Sequence, residues 1–134
     1  MTYAIIGSRS WKDPTIIIDK LNKHKDSITH VVSGGAKGPD SVGEEWAVQN
    51  KIECTIYKPD WEHYGRSAGM IRNTAIITNC DIVLAFWDGE SRGTLDSIKK
   101  AVKLQKSVTV YIEKPHPYKI PTYKLPKGII AKFV

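Results

Sequence analysis

The segment Ile82-Val83-Leu84-Ala85-Phe86 leads through Asp88-Gly89-Glu90-Ser91-Arg92-Gly93-Thr94 into Leu95, Ile98, Ala101 and Val102 at helical spacing. An unbroken apolar run of this length belongs to a parallel strand covered on both faces, because an edge or half-exposed strand would alternate. The glycine-bearing turn then hands the chain to an amphipathic helix. The same order of strand, loop and helix recurs along the sequence.

Further strand candidates are Tyr3–Gly7, Thr29–Ser33, Glu53–Tyr57 and Ser107–Ile112, spaced widely enough for helices between them. Such spacing marks βαβ units rather than hairpins. Asp13-Pro14 supplies an N-cap and a first-turn proline for the first helix. Gly38-Pro39-Asp40 opens the second, which runs to Asn50; the third covers Ser67–Asn79, and the fourth starts at Thr94 as N-cap. The expected fold is α/β, a Rossmann-like three-layer sandwich with a parallel sheet of about five strands.

The chain has 134 residues, 41% of them hydrophobic and 25% charged, which suits one globular domain. The N-terminus enters strand one directly, with no leader pattern, and no apolar run approaches the roughly 20 residues that span a bilayer. A cytoplasmic protein without membrane contact is the expectation. Cys54 and Cys80 lack metal-ligand or redox spacing, and the four histidines are scattered, so neither a metal nor any other cofactor is expected. Residues 1–113, the core domain, carry 15 lysines and arginines against 14 acids. Residues 114–134 carry Lys114, Lys119, Lys124, Lys127 and Lys132 and no acid, and Pro115, Pro117, Pro121 and Pro126 break any helix there. This basic extension reads as irregular chain packed on, or exchanged from, the domain. Its Ile129–Phe133 segment could make an edge strand or a subunit contact, and a homo-oligomer is expected.

Ligands of open α/β sheets bind outside the carboxyl ends of the strands, near the point where strand order reverses. Those ends carry Gly7-Ser8-Arg9, Ser33-Gly34-Gly35-Ala36-Lys37-Gly38 with Asp40 just beyond, and Asp88-Gly89-Glu90-Ser91-Arg92-Gly93-Thr94. Glycines there let backbone amides and helix N-termini approach a phosphate, which Arg9, Lys37, Arg92 and the Ser33 and Thr94 hydroxyls would assist. Tight turns explain the same glycines without a ligand. Neither the dinucleotide G-x-G-x-x-G nor the Walker P-loop is present, which disfavours a dehydrogenase or P-loop NTPase. Arg72 and Asn73 fall one turn into the third helix, and Asp96 follows the fourth-strand loop as the acid best placed for proton transfer. Trp11, Trp61 and Tyr64 read as loop aromatics that stack on a base or cap the core.

Together, Gly7-Ser8-Arg9, Val32–Asp40, Ala68-Gly69-Met70-Ile71-Arg72-Asn73 and Ser91-Arg92-Gly93-Thr94-Leu95-Asp96 resemble the SLOG superfamily, in its YspA-like, YpsA-related branch. The resemblance extends over residues 3–112. It implies a Rossmann-like pocket for a nucleotide-derived ligand, and its relatives include Lonely Guy phosphoribohydrolases, molybdenum-cofactor carriers and DNA-processing protein A. Against the hydrolases' M-x-x-R-K and P-G-G-x-G-T-x-E segments, Arg72 and Asp96 hold the catalytic positions, while Asn73 replaces a basic residue and Glu90-Ser91-Arg92 replaces P-G-G. The leading expectation is therefore a binder of a nucleotide, nucleotide sugar, ADP-ribose-like or cyclic signal, acting as a sensor or sequestering protein. An N-glycosidase or phosphoribohydrolase using Asp96 and Arg72 comes second. Nucleic-acid binding comes third.

Overall fold

The computed structural model describes residues 1–114 and 122–134. Six strands, β1 (Thr2–Gly7), β2 (His30–Ser33), β3 (Glu53–Ile56), β4 (Ile82–Trp87), β5 (Ser107–Ile112) and β6 (Ala131–Phe133), form one sheet in the order β3-β2-β1-β4-β5-β6. Every pair is parallel. The strand order grows outward from β1 in one direction and from β4 in the other, so the reversal falls between these two central strands.

Period-two alternation divides the core into two layers. Tyr3 and Ile5 of β1, with Leu84 and Phe86 of β4, face a cluster containing Ile17, Leu21, Trp46 and Ala47. These belong to α1 (Pro14–Lys23) and α2 (Pro39–Gln49). Ala4 and Ile6, with Val83, Ala85 and Trp87, face Ile76, Ile77, Ile98 and Ala101. The opposite layer is thus α4 (Ala68–Thr78) and α5 (Arg92–Lys103). Burial on both faces accounts for the apolar run from Ile82 to Phe86.

Four details differ from the sequence reading. The sheet has six strands rather than about five, because Ala131–Phe133 pairs with Val110–Ile112. The end of the basic extension is therefore sheet, and Leu125 reaches the core at 8% exposure. Lys119 and the prolines at 115, 117 and 121 lie outside the described residues. Trp61–Tyr64, read as loop, is a one-turn helix, α3, whose N-cap Asp60 accepts the His63 amide. Ser91 rather than Thr94 caps α5: its hydroxyl accepts the Thr94 amide at 3.2 Å, and the helix begins at Arg92. A serine three residues ahead of a threonine satisfies an earlier orphan amide, so the helix gains most of a turn. Trp11 stays in a loop, packed edge-on against Phe86 with 5.3 Å between centroids. No helix among the described residues is long and apolar enough to cross a membrane.

One glycine sets how closely a helix approaches the sheet. A Cβ on Gly43 of α2 would lie 2.7–2.8 Å from Ile5 of β1. An alanine in a helix normally gains about 1 kcal/mol over glycine, whereas overpacking a core costs about 1–3 kcal/mol. With the β-branched valine the second effect wins. Gly43→Val is expected to lower the unfolding free energy by about 2 kcal/mol, seen as a lower urea midpoint with an unchanged slope.

Candidate functional site

Beyond the paired carboxyl ends of β1 and β4, at the strand-order reversal, the loops leave a cleft of about 390 Å³. This is within the size range of small-ligand sites. Gly7 ends β1 against the start of α2, where a Cβ would meet the Phe86 carbonyl at 2.5 Å and the Pro39 ring at 2.6 Å. Only glycine permits that approach. Ser8 is buried and fastens the two strand ends: its amide donates to the Phe86 carbonyl at 2.8 Å, and its hydroxyl accepts the Asp88 amide at 3.0 Å.

Of the residues picked out by the sequence, Gly7, Arg9, Ala36, Asp40, Arg72, Asn73, Ser91, Gly93 and Thr94 line the cleft. Ser8, Ser33 and Gly34 are buried around it, while Lys37 and Arg92 are exposed and do not line it. Gly35, at φ +72°, is exposed, and its amide reaches the Ser33 hydroxyl at 3.5 Å. Asp96 also lies outside the lining. Its carboxylate pairs with Lys100 at 2.8 Å and accepts from the Asn73 side-chain amide at 3.2 Å.

The glycine loop after β2 already holds an anion supplied by the protein. Asp40, only 5% exposed, accepts the Gly34 amide at 2.8 Å. Burial pushes its pKa up to about 6, against the opposing pull of that amide and of nearby Arg72. Arg72 in turn donates to the Gly34 carbonyl at 2.6 Å and to the Asn73 side-chain oxygen at 3.0 Å. A Cβ on Gly34 would stand 2.5 Å from the Arg72 guanidinium. This glycine is explained by the arginine seated on it. Burial lowers the Arg72 pKa, although Asp40 raises it.

Two functional candidates in the lining were not singled out by the sequence, Ser10 and Asp88, the latter standing first in the loop after β4. The Ser10 hydroxyl donates to Asp88 Oδ2 at 2.6 Å, and Asp88 Oδ1 accepts the Glu90 and Ser91 amides, each at 2.8 Å. Burial alone would raise the Asp88 pKa, but the Ser10 hydroxyl and these amides together bring it below the ordinary value. An aspartate followed two and three residues on by free amides is the signal of an Asx turn, and it was readable at Asp88. The arrival of Ser10 was not, because it depends on β1 lying beside β4. Ile6, Ile76 and Ser97 complete the lining. The amides of Arg9, Ser10, Arg92 and Gly93 have no protein acceptor among the described residues.

An all-parallel sheet with a polar cleft at its strand-order reversal defines a Rossmann-like α/β domain with one switch-point site. Residues 2–64 match the family described as YspA, cpYpsA-related SLOG. The "Gene 61 protein" of Mycobacterium phage D29 is 35% identical over 120 residues, covering 83% of this chain and 96% of the phage protein. The chain belongs to the YspA, cpYpsA-related SLOG family. Two solved structures share its fold. DNA processing protein A from Streptococcus pneumoniae superposes with a TM-score of 0.72 at 18% identity, covering 99% of this chain and 58% of that one. The same protein from Helicobacter pylori, whose structure is described as having a unique single-stranded DNA binding mode, gives 0.68 at 20% identity, covering 90% and 68%.

The raised pKa of Asp40 makes stability depend on pH. Its folded value of about 6 exceeds its ordinary 3.8, so the folded state holds the proton more tightly. The stabilisation is full below the lower value and is lost as pH rises through the upper one. At about 1.4 kcal/mol per pKa unit the difference is worth about 3 kcal/mol. Between pH 3.5 and 7.5, the unfolding free energy of Asp40→Asn should therefore gain on the wild type by about 2–3 kcal/mol, measured in urea at each pH.

Proposed function

We propose that the cleft binds a nucleotide unit through a single phosphate, and that the protein serves as a sensor or sequestering protein for such a ligand rather than turning it over. The observation that carries this reading is the convergence of the unpaired Gly93 amide, the Thr94 hydroxyl and the Arg9 side chain on one cleft at the switch point. The positive end of the α5 dipole adds to them. The lining side chains carry two cations, Arg9 and Arg72, and two carboxylates, Asp40 and Asp88. That balance favours one phosphate over a polyphosphate chain, whose extra charges would meet carboxylates. Apolar Ile6 and Ile76 offer a surface for the uncharged part of a ligand. Binding without hydrolysis is supported by the engagement of Asp96 with Lys100 and Asn73, since a general base needs direct reach to the reacting proton.

A second reading, single-stranded nucleic acid, is favoured by Trp61 and Tyr64, which stand 59% and 46% exposed. Arg66 is exposed beside them. Aromatic faces with nearby cations suit stacked bases, and the Helicobacter pylori relative is described as binding single-stranded DNA.

Calorimetric titration with nucleoside 5′-monophosphates and with a 12-nucleotide oligo-dT tests both readings. A monophosphate should bind, with no gain in affinity for the di- or triphosphate. Arg9→Ala should weaken it about 10-fold, the loss of one charge-assisted hydrogen bond, while Trp61→Ala leaves it unchanged. Tight oligonucleotide binding that falls steeply with salt and with Trp61→Ala, alongside no monophosphate binding, would replace the first reading by the second.

A further inference from the structure

Oδ2 of Asp88 accepts one hydrogen bond at close distance, from the Ser10 hydroxyl at 2.6 Å, with the Ser8 hydroxyl nearby. An ionised carboxylate offers about four acceptor positions and no donor. Oδ1 takes the Glu90 and Ser91 amides, which leaves Oδ2 as the oxygen for a ligand donor. Both Asp88 and Ser10 line the cleft. The backbone cannot move the carboxylate away, because the Asp88 amide is itself held by the buried Ser8 hydroxyl at 3.0 Å. The group is thus fixed, charged and aimed at the ligand space from the β4 end.

Such a group repels phosphate and demands a donor. The Ser91 amide bonded to it begins the same α5 terminus whose next amides, Arg92 and Gly93, are without protein acceptors. A ligand whose phosphate sits on that terminus must therefore present a hydrogen-bond donor close to the phosphate. In a nucleoside 5′-monophosphate the donors nearest the phosphate are the sugar hydroxyls, with the base farther out. We infer that Asp88, braced by Ser10, is a specificity residue that accepts a hydrogen bond from a sugar hydroxyl and so selects hydroxylated nucleotides over deoxygenated ones. The inference rests on the nucleotide reading of the cleft and names the part of the nucleotide that is read.

Asp88 is half-buried in the cleft, and a carboxylate placed to pair with a ligand hydroxyl discriminates against a ligand that lacks it, because that hydrogen bond is then lost. The test titrates the wild type and Asp88→Asn with AMP, GMP, CMP and UMP and with the 2′,3′-dideoxy counterparts. The wild type should prefer the hydroxylated member of each pair by at least about 10-fold. In Asp88→Asn the preference should fall to within about 2-fold. The wild-type ratio decides the matter even if that variant fails to fold, and Ser10→Ala, which keeps the amide clamp, should then show a reduced ratio. Equal affinity for both sugars in the wild type, with loss of binding in Arg9→Ala, overturns the inference and leaves the phosphate reading standing. Discrimination among bases but not among sugars overturns it as well. Failure of every monophosphate to bind the wild type removes both.

Discussion

A carboxylate buried at the start of a helix has to be neutralised by its neighbours, and Asp40 organises the surrounding chain on that account. It takes the Gly34 amide, which closes the loop after β2 onto α2. The carbonyl of the same glycine then receives Arg72 from α4, and Arg72 passes the constraint to Asn73. The Asn73 amide reaches the Gly93 carbonyl and Asp96 of α5, and Lys100 completes the chain by pairing with Asp96 and donating to the Met70 carbonyl. Elements on opposite faces of the sheet are thereby joined at its carboxyl edge by one polar network. Half-satisfied networks of this kind are costly, so its members hold one another in register.

The network changes what the glycine-rich loop means. A strand, a pair of glycines and a helix start are the ingredients of a phosphate cradle, yet here an aspartate from the helix occupies the cradle and an arginine lies over it. Vacant donors lie instead at the switch point itself, on the α5 terminus and the loop after β1. The two places resemble each other in sequence and differ in whether the protein has supplied its own anion.

Much of the fold was readable because it rests on local patterns. The apolar run of β4, the Asp13 cap with its proline and the helical stripe of α5 each announce themselves within a few residues. What lay hidden depends on distant pairing. The Ile129–Phe133 segment reads equally as an edge strand or a subunit contact, and only the pairing of Ala131–Phe133 with β5 decides for the strand. The site follows the same division. Gly7, Arg9, Arg72, Asn73 and Thr94 stand out as motif members, whereas Ser10 becomes a partner of Asp88 only when the β1 and β4 loops meet. Asp96 stands in a motif as well, but its neighbour one turn along α5 claims it, and no motif records that.

The cleft lies between two strands that are adjacent in space and far apart along the chain, Tyr3 pairing with Ile82 and Gly7 with Phe86. Closing so long a loop is among the slower events in folding, since its entropy is lost before the contact rewards it. Neither the βαβ unit that precedes β4 nor the one that follows it contains both walls. On the ribosome, then, the amino-terminal half can assemble its helices against β1 and β2 while the place for a ligand does not yet exist. It comes into being only when β4 has emerged and docked, so a ligand acts solely on the completed sheet and has no hold on the intermediates that lead to it.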